Sequence, residues 1–132
     1  MHGLTEPLDA KNSSHAMLLD GDPSLAIVFV HGFSGDALKT WEGFPERIRE
    51  DAAFESADAY FYGYDSLGTQ VAVSAMNLME FVEHLFTQPS ALFESDALAS
   101  RNDDFKYDRV LLVAHSLGAV VCRKAILRAH AN

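Results

Sequence analysis

The stretch VLLVAHSLG, residues 110–118, runs from a block of aliphatic residues into a serine with alanine two positions before it and glycine two positions after. A short apolar run without polar alternation suits a strand buried on both faces, as in a parallel sheet. The segment that follows, AVVCRKAILRAH, is helical by composition, with Arg and Lys for an outer face and His130 near its C-terminal end. Ser116 thus falls on a strand-to-helix turn. A serine in so tight a turn is pushed into an unfavourable backbone conformation that projects its hydroxyl outward, and small neighbours such as Ala114 and Gly118 allow other groups to come close. Ala114 departs by one methyl group from the stricter G-x-S-x-G pattern.

Outward from this turn the same pattern repeats. LAIVFV (25–30) is a second continuous apolar run, bounded by GDPS and HGFSG, and ADAYFYGY (57–64) is a third in which aromatics replace aliphatics. Between the first two strands lies DALKTWEGFPERIREDAAF, in which Pro45 suits a first helical turn and the charged stretch after it an exposed face. Before the VLLVA strand a longer helix is predicted over roughly 69–87, with Val71, Ala75, Leu78, Met79, Val82, Leu85 and Phe86 on one stripe and Pro89 closing it. PSALFESDALASRNDDFKYD reads as a loop with one short helix. HAMLLD (15–20) is a further candidate strand, and residues 1–14 are read as a flexible lead.

Strands alternating with helices imply an α/β fold: a three-layer sandwich with a mostly parallel sheet, in one domain spanning 1–132. The strands at 25–30, 57–63 and 109–114 are expected as parallel neighbours, the strand before Ser116 beside the HGFSG strand. Ligands in such sheets sit beyond the carboxyl ends of the strands, where HGFSG, GYDSLG and HSLG all gather. At that edge the amide of Leu117, aided by the helix dipole, points to where negative charge develops on a substrate carbonyl oxygen. HGF offers a second donor: Gly32 permits a sharp turn that lets the amide of Phe33 face the same oxyanion.

These residues carry a resemblance to the α/β-hydrolases of the lipase and esterase type. IVFVHGFSG resembles their oxyanion loop and VLLVAHSLG their nucleophile elbow, in the family's order, and HGFSGDALKTW with YFYGYDS resembles an intracellular lipase-like branch. The similarity covers roughly residues 15–130 and matches the N-terminal half of that fold, ending after the elbow helix. It implies Ser116 as catalytic nucleophile, Phe33 and Leu117 as oxyanion hole, and supporting roles for His31, Gly32, His115 and Gly118. His31 would order the oxyanion loop, and His115 would pack under the elbow. Asp65, at the end of the second strand, reads as a polar turn residue, with an orienting or substituting acid as the alternative.

The family's chain order places its acid and histidine after the nucleophile. Only fourteen residues follow Gly118, with no Asp or Glu, and His130 lies about 18 Å along the helix, at the wrong end. The chain is therefore expected to be a fragment of a longer protein or a short form lacking the ordinary triad. Two readings follow: a serine hydrolase acting on small-molecule or lipid carboxylic esters, with low activity alone, or a non-catalytic hydrolase-like interaction module. An elbow strand left at a bare edge predicts self-association or cover by a missing C-terminal half.

Composition narrows the partners. Ten Lys and Arg against nineteen Asp and Glu give a formal charge of −9, which repels phosphate backbones and disfavours nucleic acid. Cys122 is the sole cysteine, which excludes an internal disulfide and a paired-thiol metal site and suits a reducing, cytoplasmic setting. No cofactor or metal is implied. No window approaches the roughly 18 apolar residues of a membrane span. His84 reads as a surface or satisfied histidine, Cys122 as buried packing, and Trp41, Met76 and Met79 as core or cap.

Overall fold

A computed structural model of the chain describes residues 3–4, 14–32, 36 and 39–131. Five strands form one sheet: β1 (Gly3–Leu4), β2 (His15–Leu18), β3 (Leu25–Val30), β4 (Ala57–Tyr62) and β5 (Arg109–Ala114), in the spatial order β1-β2-β4-β3-β5. β3 pairs in parallel with β4 on one side and with β5 on the other, from Leu25 opposite Arg109 to Val30 opposite Ala114. The three apolar runs are thus parallel neighbours, with the elbow strand beside the HGFSG strand.

The sheet as a whole is mixed rather than mostly parallel. β2 runs antiparallel to β4, and β1 antiparallel to β2. The reason lies in the connection: residues 19–24 join β2 to β3, and a parallel return needs a crossover of about a dozen residues or more. Gly3–Leu4, in the stretch read as a flexible lead, adds the outermost strand.

Period-two alternation divides the strand side chains between two cores. Ala26, Val28, Val30, Tyr60 and Tyr62 face helices α2 (Val71–Thr87) and α3 (Leu117–Ala131). Ile27, Phe29, Ala59 and Phe61 face Trp41 and α1 (Phe44–Glu50). Three layers result. In α2 the buried stripe is Ser74, Ala75, Leu78, Phe81 and Leu85, whereas Phe86, expected on it, is 41% exposed. Phe86 lies one helical step, about 100°, beyond Leu85, and Phe81 fills the core in its place, edge-on to Tyr60 and Tyr62.

The connection from 88 to 108 contains one short 3₁₀ helix, Pro89–Leu92. It is tied to the sheet by charge. Asp58, fully buried on β4, accepts from Arg101 Nη1 at 2.6 Å and Nη2 at 3.1 Å, from the Leu19 amide at 2.8 Å, and from the Tyr107 hydroxyl. The Tyr60 hydroxyl in turn donates to Tyr107 at 2.7 Å, and Arg101 Nη2 also reaches the Leu19 carbonyl at 3.0 Å. The Arg101 guanidinium stands over the Phe105 ring, 4.6 Å from its centroid. A carboxylate buried this deeply is tolerated only when it is paired and hydrogen-bonded throughout, and burial pushes both tyrosine hydroxyls well above the ordinary phenol range.

Candidate active site

At the carboxyl edge of the parallel strands the chain makes its sharpest local commitment. Ser116, between β5 and α3, has φ 55°, the one positive φ among the described residues other than glycine. A side chain in this left-handed region costs roughly 1–2 kcal/mol, which the surrounding contacts must offset. Two turn bonds hold it: the Gly118 amide donates to the His115 carbonyl at 3.0 Å, and the Ala119 amide to the Ser116 carbonyl at 2.9 Å. Ser116 is exposed. The Leu117 amide, first of α3, has no intrahelical acceptor and sits at the positive end of the helix dipole.

Two glycines bring the β3 loop against this turn. A Cβ placed on Gly118 would lie 2.5 Å from both the Val30 and His31 carbonyl oxygens. One placed on Gly32 would lie 2.9 Å from Ser116 Cβ and 3.2 Å from His115 Nδ1. The strand ladder also extends here, since the His115 amide donates to the Val30 carbonyl at 3.0 Å. The loop after β3 and the serine turn therefore touch backbone to backbone, and no larger residue fits at either glycine. Phe33, the expected second oxyanion donor, lies outside the described residues.

His31 is buried and fully engaged. The Tyr64 amide donates to its Nε2 at 3.3 Å, which leaves the proton on Nδ1 to be donated to the Gly32 carbonyl at 2.9 Å. The Tyr64 ring stacks on the imidazole at 4.2 Å, and its hydroxyl donates to the His31 carbonyl at 2.6 Å. This clasp joins the loops after β3 and β4. Burial lifts the Tyr64 hydroxyl to about 12. Its role was not visible in the sequence, where Tyr64 is one of three tyrosines in YFYGY; only contact with His31 distinguishes it.

His115 departs from its expected place under the elbow. It is exposed, with its ring edge-on to Trp41 at 6.3 Å, because the space beneath the turn is filled by the Gly32 backbone. Trp41 packs against Phe29 and Phe44, and its buried Nε1 has no hydrogen-bond acceptor among the described residues. Asp65 is a turn residue: its Oδ1 accepts from the Leu67 amide at 3.1 Å and the Gly68 amide at 2.7 Å. One of its two carboxylate oxygens is thus held within its own loop.

The remaining polar residues are placed away from the turn. His84 donates from Nδ1 to the Glu80 carbonyl at 2.8 Å on the exposed side of α2, and Cys122 is buried on α3 in the core cluster on the α2–α3 side of the sheet, its thiol pushed up to about 11 by that burial. Among the described residues no three His, Cys, Asp or Glu side chains gather to hold a metal ion, and no helix is long and apolar enough to cross a membrane. No family model, curated protein or solved structure matches the chain. The geometry of a strained, exposed serine at the carboxyl edge of an α/β sheet is what any functional reading must explain.

Proposed function

We propose that the chain is a serine hydrolase of the α/β-hydrolase, lipase and esterase type, with Ser116 as nucleophile towards carboxylic esters of small molecules or lipids. The observation that carries this reading is the φ of 55° at Ser116, in a turn pressed against Gly32. Nothing in the packing of a mere connecting turn requires that strain, and strained serines at strand–helix turns are how this chemistry exposes a hydroxyl. In the reaction the Ser116 oxygen attacks the ester carbonyl carbon, its proton passes to a base, and the alcohol departs as the acyl-serine forms; water then releases the acid. The Leu117 amide, with that of Phe33, stabilises the oxyanion. The unpaired Cys122 is in keeping with a cytoplasmic setting.

His31 has both ring nitrogens engaged, Asp65 holds its own turn through Oδ1, and among the described residues no hydrogen bond joins Ser116 to a histidine. Without base and acid, oxyanion stabilisation and binding leave roughly 10³ to 10⁴ of acceleration over water. The isolated chain should therefore turn over a short p-nitrophenyl ester barely above background. This same observation favours the second reading, a hydrolase-like interaction module without catalysis. Prolonged incubation with a fluorophosphonate probe separates the two: slow modification mapped to the Ser116 peptide and absent from Ser116→Ala supports the hydrolase, and an unmodified Ser116 supports the module.

A further inference from the structure

The backbone that follows β3 is held by one residue of the loop that follows β4. Tyr64 lies two positions past the end of β4 and is 8% exposed, and its partner His31 is 1% exposed. The Tyr64 ring stacks on the imidazole at 4.2 Å, its hydroxyl donates to the His31 carbonyl at 2.6 Å, and its amide donates to His31 Nε2 at 3.3 Å. With Nε2 accepting, the imidazole proton sits on Nδ1 and is donated to the Gly32 carbonyl at 2.9 Å. Tyr64 thus fixes the His31 carbonyl directly and the Gly32 carbonyl through the imidazole.

The sheet does not require these bonds. β3 and β4 are paired along their whole length, from Leu25 opposite Ala57 to Val30 opposite Tyr62, and a phenylalanine at position 64 would supply the same stacked ring. Apolar contact closes two loops without regard to angle, whereas hydrogen bonds act along fixed directions. The two carbonyls held in this way belong to the peptides on either side of Gly32, the residue that presses on the serine. A Cβ on Gly32 would stand 2.9 Å from both Ser116 Cβ and the His115 carbonyl oxygen. The His31 carbonyl is also one of the two that leave no room for a side chain at Gly118. Because a peptide unit is planar, holding the Gly32 carbonyl also sets the direction of the N–H that shares its plane, that of residue 33.

We propose that Tyr64 is a positioning residue for Ser116. Through its hydroxyl and through His31 it sets the angle of the backbone wall beside the serine and, on the hydrolase reading on which this rests, of the second oxyanion donor. It acts through His31 and Gly32 rather than on substrate. Attack by Ser116 needs nucleophile and donor in register, and a misplacement of about 1 Å costs on the order of 10²-fold in rate. Loss of the Tyr64 hydroxyl therefore slows bond formation at Ser116 and leaves binding of the reacting molecule unchanged.

Two variants of the full 132-residue chain test this, both checked for folding by circular dichroism. Tyr64→Phe keeps the stacked ring and removes one hydroxyl. Tyr107→Phe removes a buried hydroxyl from the Asp58 network, away from the serine turn, and measures what general loosening does. Fluorophosphonate labelling of Ser116 over a range of probe concentrations separates the maximal rate from the half-saturating concentration. Tyr64→Phe should lower the maximal rate about tenfold with half-saturation unchanged, and Tyr107→Phe should change neither. In nitrogen-15 magnetic resonance the amides of residues 32 and 33 should lose order in Tyr64→Phe and keep it in Tyr107→Phe, and the unmodified chain should carry the His31 proton on Nδ1. These spectra read the positioning whether or not Ser116 reacts, so an unlabelled unmodified chain strikes the hydrolase reading and leaves the clasp to be judged by the amides. The proposal is overturned by amides of residues 32 and 33 that stay as ordered in Tyr64→Phe, by a His31 proton on Nε2, by labelling of Tyr64→Phe at the unmodified rate, or by an equal fall in Tyr107→Phe.

Discussion

Near the amino end of the parallel strands, Asp58 meets Arg101, Tyr107 and the Leu19 amide in a buried network in which both carboxylate oxygens are engaged. At the carboxyl edge of the same sheet, Ser116 stands exposed with a backbone angle that side chains avoid, held by two glycines with no space for a methyl group. Both regions cost free energy, and they differ in how it is offset. The network satisfies every charge locally and ties a long connection to the sheet. The serine turn shows, among the described residues, no partner for the Ser116 hydroxyl, and on the proposed reading that free hydroxyl is what a reacting carbonyl needs.

The comparison can be broken most severely at the network. Asp58→Ala leaves the Arg101 guanidinium buried without its counter-charge, and urea unfolding should show a loss of about 3–5 kcal/mol. A loss below about 1 kcal/mol would mean that Arg101 reaches water and that the network does not hold the connection. Next in size is Gly118→Ala, whose methyl group would overlap the Val30 and His31 carbonyls at 2.5 Å; about 1–3 kcal/mol should be lost. Gly21→Ala serves as the control, with a φ of 98° but open space around it.

A smaller effect of opposite sign sharpens the other half. Ser116→Gly removes the side chain that the left-handed conformation penalises and should raise stability by about 1 kcal/mol, measured by thermal unfolding at fixed pH, whereas Ser116→Ala should not. A stability gain together with loss of fluorophosphonate labelling would identify strain held for the serine's sake. The smallest effect is in alkali. Cys122 is raised from 9 to about 11 and Tyr64 from 10 to about 12, both chiefly by burial. Each folded-state value lies above the unfolded one, so the unfolded chain loses its proton first. Stability is intact below pH 9, declines as pH rises through 9–11 for Cys122, and declines through 10–12 for Tyr64. Cys122→Ala should flatten the earlier part of that decline in a pH series of melting temperatures, and an unchanged profile would exclude the thiol as its source.

Much of the parallel core was legible in the chain. LAIVFV, ADAYFYGY and VLLVA read as strands because continuous apolar runs bounded by turn residues have few other uses, and their parallel neighbourhood followed from the helices between them. Ser116 and its two small neighbours mark the turn, and the stripe read for α2 shares Ala75, Leu78 and Leu85 with the buried one, missing Ser74 and Phe81 and overreaching to Phe86. Asp58 also carried a readable signal, a lone carboxylate inside a strand buried on both faces, which demands a cation somewhere. Nothing local could point to Arg101, forty-three residues away in a polar stretch with no periodicity.

The amino-acid sequence by itself determined where the three parallel strands, the two long helices and the serine turn fall, because periodicity, glycine placement and apolar runs act over a few residues and need no knowledge of the rest. Only the tertiary structure decided the antiparallel direction of β2, the Tyr64–His31 clasp, the exposure of His115 and the Asp58–Arg101 pairing. Those depend on which segments meet after the chain has closed, and contacts between distant segments are chosen by packing and charge compensation that no short window of sequence contains.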